Sequence, residues 1–216
     1  MTDARSAILQ RLRGASRGRD LAVEDFAVVA ARGWTAEQRL ERLRRMMAAV
    51  RTEFLDARGS DWVALLQDWL AREVVPGLLY APSTALGQRL ASVWSGLVPL
   101  IPYDRSMADW KQELFAQGAA GLTSTRGAIA ETGSLILWPD ADEPRTLSLV
   151  PPIHVAVLDV GTLFDTLWQA ARDQRWAEGM PTNLLLVSGQ SKTADIEQTL
   201  AYGVHGPKRL LVVLVQ

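Results

Sequence analysis

The sequence predicts an α/β protein with a mostly parallel sheet and helices on both faces. Short apolar runs recur from residue 78 onward, at Leu78–Tyr80, Val98–Ile101, Ala128–Ala130 with Ser134–Trp138, His154–Val160, Leu184–Val187 and Leu210–Val215. Runs of that length, bounded by glycine, proline and polar clusters, read as strands. Helical-period patterns lie between several of them, at Ser83–Ser92, Met107–Gln117, Thr162–Arg172 and Thr193–Ala201. Strands alternating with helices assemble into parallel sheets covered on both sides. The run ending at Val187 also empties into Ser188-Gly-Gln-Ser-Lys-Thr193 ahead of a helical pattern. An α/β protein presents amides and hydroxyls in this way at the carboxyl edge of its sheet.

The first part of the chain has a different period. Ala7–Leu12 is a short helix, ended by the Gly14–Gly18 stretch. Thr35 followed three residues later by Gln38 fits a capping box, and Leu40, Leu43, Met46, Met47, Val50 and Phe54 recur behind it at helical spacing. A helix of about six turns is expected there, with Glu37, Arg39, Glu41, Arg44, Arg45 and Arg51 on a solvated face. Ser60–Asp61 caps a second helix through Leu65, Leu66, Trp69 and Leu70, and Pro76–Gly77 stops it. Residues 1–74 are therefore expected to be a helical N-terminal extension packing on a core domain of residues 75–216.

Composition narrows the function. Of 216 residues 48% are apolar and 22% charged, with a net charge of −1, which gives no electrostatic reason to invoke nucleic acid or an anionic membrane. Cysteine is absent, so this chain supplies no disulfide, no cysteine-ligated iron–sulfur cluster and no thiolate nucleophile. His154 and His205 are the two histidines, too few for a His-rich metal site. Asp3, Arg5, Arg11 and Arg13 interrupt the first apolar stretch, unlike a signal peptide, and no window approaches the roughly 18 uncharged apolar residues that span a bilayer. A cytoplasmic location without a membrane span is expected. The eight tryptophans are scattered and read as packing anchors, with no base-stacking platform.

Three constellations can carry chemistry. Gly121-Leu-Thr-Ser-Thr-Arg-Gly127 gathers Thr123, two further hydroxyls and Arg126 between glycines, a set that holds phosphate or carboxylate or else forms a polar crossover loop. Just beyond it, Glu131 sits among apolar and small residues, where an unpaired charge is costly. It either pairs with a base such as Arg126 or Lys192 or faces a cleft. The second constellation, Ser188–Glu197, offers Ser188, Ser191, Lys192, Thr193 and Asp195. Ser191 or Thr193 can cap a helix there, with Lys192 beside its positive end. The loop lacks the glycine spacing of a P-loop or of a dinucleotide fold. The third is Gly203-Val-His-Gly-Pro207, which presents His205 on a turn. His154, after Pro151-Pro-Ile, points to the same sheet edge or terminates a ladder. Glu131, Ser188, Ser191, Lys192, Asp195 and His205 are expected to line one cleft at the carboxyl edge, with Lys192 or Arg126 holding an anion and His205 available for proton transfer.

Gly-Leu-Thr at 121–123, Ala-Glu-Thr-Gly-Ser at 130–134, Pro151–His154, Ser-Gly-Gln-Ser-Lys-Thr-Ala-Asp-Ile-Glu at 188–197 and Gly-Val-His-Gly-Pro at 203–207 together resemble the lactate utilization protein C (LutC/YkgG) family. The resemblance is close over roughly residues 75–216, with Gln190 where many relatives carry proline. It implies a LUD domain with the NagB/RpiA/CoA transferase-like fold of ribose-phosphate isomerases, glucosamine-phosphate deaminases and CoA transferases. CoA transferases of this fold use a glutamate, and Ala130–Gly133 is similar to that segment. The resemblance further implies that the chain is a subunit of a system oxidising L-lactate to pyruvate, alongside iron–sulfur oxidoreductase partners. The cofactor stays unknown, with none bound covalently and no iron–sulfur cluster expected in this chain. The alternative is a free-standing enzyme that uses the same cleft on a small anionic substrate such as a sugar phosphate, an acyl-CoA or a folate.

Overall fold

The computed structural model describes residues 3–15, 32–105, 119–194, 200–202 and 205–216. The helix expected at Met107–Gln117 lies outside them, as does Asp195. Six parallel strands make the central sheet: β1 (Glu53–Ala57), β2 (Leu78–Tyr80), β3 (Leu100–Pro102), β4 (Ala120–Ser124), β7 (Ile153–Asp159) and β12 (Arg209–Val215), in the spatial order β1-β12-β7-β4-β2-β3. The two longest strands run side by side at its centre, with Arg209 opposite Ile153 and Val215 opposite Asp159. A second sheet has the order β8-β5-β6-β9, from β5 (Gly127–Ile129), β6 (Ser134–Leu137), β8 (Leu163–Phe164) and β9 (Leu185–Val187). Strands β10 (Lys192–Ala194) and β11 (Leu200–Tyr202) pair with each other.

Successive side chains on a strand point to opposite faces, and the core divides accordingly. Leu211, Val213, Val155, Ala120 and Leu122 pack against Trp62, Val63, Leu66, Trp69 and Leu70 of one helix and Leu90 of another. Their neighbours Leu210, Val212, Leu214, Ala156 and Leu158 pack against Leu43 and Met47 of a third helix and against Ala128 and Leu135 of the second sheet. In chain order the helices are α1 (Ala4–Ala15), α2 (Ala36–Ala48), α3 (Trp62–Arg72), α4 (Ala85–Val93), α5 (Thr146–Leu149) and α6 (Leu167–Asp173). The α/β architecture and the mostly parallel sheet agree with the sequence. Helices α3 and α4 cover one face, while α2 shares the other with the second sheet.

Several elements differ from expectation. The Thr35–Gln38 capping box is present, but α2 ends at Ala48 and does not run on to Phe54. Arg51 takes a left-handed φ of 65°, and Glu53–Ala57 leaves the helix to pair with β12. The segment read as a helical extension thus contributes an edge strand to the central sheet. Asp61 stands at the N-cap of α3, yet its side chain makes no cap bond. The helix expected at Thr193–Ala201 is replaced at its two ends by the antiparallel strands β10 and β11, so no helix start stands beside Lys192. Helix α6 starts five residues later than Thr162, capped by Thr166, because Leu163–Phe164 pairs with β5.

Candidate functional site

The Gly121–Gly127 stretch is not an anion cradle. Residues 120–124 form β4, held between β2 and β7, and the hydroxyls of the stretch already have partners. Thr123 Oγ1 meets His154 Nε2 at 2.8 Å, Ser124 donates by N–H and Oγ to the Glu143 carboxylate, and Thr125 donates to the Val157 carbonyl. Arg126 stacks over Trp138, 4.7 Å from the ring centroid, a cation–π contact at the surface. Gly127 sits at φ 129° with the Thr162 carbonyl 2.3 Å from where a Cβ would stand, so that glycine serves packing.

Glu131 is paired with neither Arg126 nor Lys192. Arg32 donates to its Oε1 through Nε at 3.0 Å and through a terminal nitrogen at 2.6 Å. The Arg32 and Gly33 amides donate at 2.7 and 2.8 Å to Oδ2 of Asp165, whose Oδ1 accepts from Arg39 Nε at 2.5 Å. Asp165 is fully buried. Burial alone would raise its carboxyl, but the Arg39 hydrogen bond, the Arg32 amide, the Arg39 charge and the Gly33 amide outweigh it and hold the group below the usual carboxylate range. The Glu131 turn is thus a clasp for residues 32–39.

The other expected residues do converge. Ser188, Ser191, Lys192 and His205 line a cavity of about 410 Å³, together with Ser148, Gln190 and His154. Its apolar wall is Leu149, Leu186, Val187, Pro207 and Leu210. A smaller space of about 190 Å³ lies across Ser188–Gln190, walled by Val50 and Arg51. The Ser191 amide donates to the Pro207 carbonyl at 2.8 Å, tying the post-β9 loop to the His205 turn. His154 and Leu210 are the second residues of β7 and β12, so the cavity lies at the amino ends of the central strands. The carboxyl edge expected for the cleft is the opposite end. The reason is that the Ser188 loop follows β9 of the second sheet, not a strand of the central one. Thr193 lies in β10 next to Lys192.

One feature escaped sequence reasoning. Thr132, Ser134 and Ser188 form a hydroxyl chain, 2.8 Å at each link, which joins the Glu131 turn to the cavity. His154, for which the sequence left open the edge shared with His205 or the end of a ladder, lines the cavity together with His205. His154 is 1% exposed, and burial pushes its imidazole down to about 4. Above pH 6.5 the ring is neutral in folded and unfolded chains alike. Below it, the unfolded ring takes up a proton that the folded ring refuses until about pH 4. Stability is therefore expected to fall as pH drops from 6.5 to 4, by up to about 3 kcal/mol. Urea midpoints at pH 7, 5.5 and 4 measure it, and His154→Gln should lack that part of the slope.

A LUD domain model matches residues 40–215. The chain belongs to the LUD domain family. Across its whole length this LUD protein is similar to an uncharacterised protein of Neisseria meningitidis serogroup B, 36% identical over 98% of this chain and 93% of that one. It is also similar to a protein named lactate utilization protein C from Exiguobacterium, 28% identical over 85% of this chain and 80% of that one. A protein of the same name from Anoxybacillus flavithermus is 24% identical over 85% and 83%. The crystal structure of a DUF162 family protein from Deinococcus radiodurans shares the fold, with a TM-score of 0.61 at 21% identity over 85% of this chain and 99% of that one. No described helix of this LUD domain is long and apolar enough to cross a membrane.

Proposed function

We propose that this LUD protein is a subunit of an L-lactate utilization system and acts in the cytoplasm beside iron–sulfur oxidoreductase partners that carry the electrons. The observation that supports this most directly is a polar cavity on a cysteine-free chain. Hydroxyls, an ammonium and imidazoles bind and orient a ligand and exchange protons, while cluster ligation by thiolates falls to the partners. The names of the relatives from Exiguobacterium and Anoxybacillus flavithermus supply the metabolic context. In this reading Lys192 attracts the anionic group of a ligand, Ser188 and Ser191 hydrogen-bond it, and His205 at the rim exchanges a proton. Thr123 acts through His154. Glu131 and Arg126 hold the surrounding structure, through Arg32 and Trp138 respectively.

Deleting the gene from its host should abolish growth on L-lactate and spare growth on pyruvate. Restoring the wild-type gene should return growth, and Lys192→Ala should return clearly less. Undiminished growth of the deletion strain on lactate would sink the reading. The second reading is a free-standing enzyme, favoured by the gathering of Ser188, Ser191, Lys192 and His205 at one cavity. Turnover of a sugar phosphate, an acyl-CoA or a folate by the purified protein without partners would move the assignment there.

A further inference from the structure

We propose that the cavity at the amino ends of β7 and β12 binds a 2-oxo monocarboxylate with an apolar side chain larger than that of pyruvate or lactate. Its carboxylate meets Lys192, its 2-oxo oxygen accepts a hydrogen bond from His154, and its side chain lies on Leu149, Leu186 and Leu210. This rests on the cavity being the ligand site of the protein, and it names the ligand class.

The donor follows from proton accounting. Thr123 is 4% exposed, and the His154 ring is the one described partner of its hydroxyl. Were the ring to donate to Thr123, the hydroxyl proton would be left buried without an acceptor, at a cost that a folded protein avoids. Thr123 therefore donates to Nε2. The neutral ring then carries its own proton on Nδ1, which has no acceptor among the described residues. A ring N–H without a protein acceptor, on a residue that lines a cavity, is a group open to a ligand oxygen.

Charge and size complete the class. Lys192 is the one lysine or arginine among the described lining residues, no described carboxylate faces it across the cavity, and it has no described ion-pair partner. One ammonium balances one carboxylate, whereas a phosphate dianion would keep a negative charge that no second described lining cation offsets. At roughly 30 Å³ per water, the 410 Å³ cavity has room for about fourteen waters, more than twice the heavy-atom count of a three-carbon acid. The surplus space is bounded by leucines: Leu149 and Leu186 stand 38% and 43% exposed, apolar surface that a ligand side chain would cover.

The test is calorimetric titration of the full-length protein with 4-methyl-2-oxopentanoate, phenylpyruvate, 4-methylpentanoate, pyruvate, L-lactate and inorganic phosphate. The larger 2-oxo acids are expected to bind at least tenfold more tightly than pyruvate or lactate, and tenfold more tightly than 4-methylpentanoate, which lacks the oxo group. Lys192→Ala, a change at the exposed first residue of β10, should weaken them at least tenfold without changing the unfolding midpoint. Nitrogen-15 spectra should report His154 protonated on Nδ1 in the free protein, a reading independent of any variant. Binding of pyruvate or phosphate as tight as that of the larger acids, indifference to Lys192→Ala, no saturable binding by any acid, or a proton on Nε2 would each overturn the proposal. None of these outcomes alters the growth result on lactate, so the two readings fail separately.

Discussion

Asp165→Asn is expected to lower folding stability by roughly 3 kcal/mol at pH 7. The substitution keeps the shape of the side chain and changes the proton count. Everything that meets the carboxylate is a donor: the Arg32 and Gly33 amides at Oδ2 and the Arg39 guanidinium at Oδ1. An asparagine offers one acceptor oxygen, so its amide must face a donor on one side or the other. Arg39 is about a quarter exposed and can turn to water, which keeps the loss below that of a wholly buried pair. Urea unfolding measures the effect, and pH checks its origin. The folded carboxyl is held below its ordinary value, so its contribution is complete above about pH 4 and is lost as the pH falls through the folded value. The gap between wild type and variant should therefore narrow at pH 3. A gap that persists there would assign the loss to packing rather than charge.

This clasp also shows where sequence reasoning stops. Glu131 was legible as a charge in costly surroundings, but its partner Arg32 lies 99 residues away, beyond the reach of local pattern. The central strands were legible because Val155–Leu158 and Leu210–Val215 are continuous apolar runs that only burial on both faces satisfies. Strand β4 was not, because Ala-Gly-Leu-Thr-Ser has turn-like composition and becomes a strand through pairing with β2 and β7. Strand β1 lay hidden in a helical period that Phe54 happens to continue, and pairing with β12 overrides that weak local preference. At the site, Ser188, Ser191 and His205 were legible as polar residues on loops, and Lys192 as the charge that follows them. The Thr123–His154 pair was not, since two residues 31 apart meet only through the register of β4 and β7, which places Gly121 opposite His154. The edge of the sheet was misassigned for a related reason: sequence shows that a polar loop follows a strand, not which sheet that strand joins.

Gly121→Ala is expected to cost roughly 3 kcal/mol as well, and to weaken the cavity even in molecules that fold. A Cβ at this position would stand 2.1 Å from the Leu147 carbonyl oxygen and 2.7 Å from Pro151 Cγ. The first of these is backbone, so no side-chain rotation relieves the contact, and α5 must retreat from β4 by about an ångström to restore van der Waals distance. Ser148 and Leu149 belong to that same short helix and line the cavity. Moving it opens the wall opposite the Ser188 loop and shifts the chain that enters β7 just before His154. A glycine is thus required here because the helix that builds one side of the site rests directly on the sheet. Urea midpoints report the stability, and titration of the folded variant with 4-methyl-2-oxopentanoate reports the site. Gly179→Ala is the control, since its backbone is extended and nothing lies within 4 Å of the added carbon. It should stay within about 0.5 kcal/mol of wild type. Equal behaviour of the two variants would mean that α5 yields freely and that the cavity wall is softer than its contacts imply.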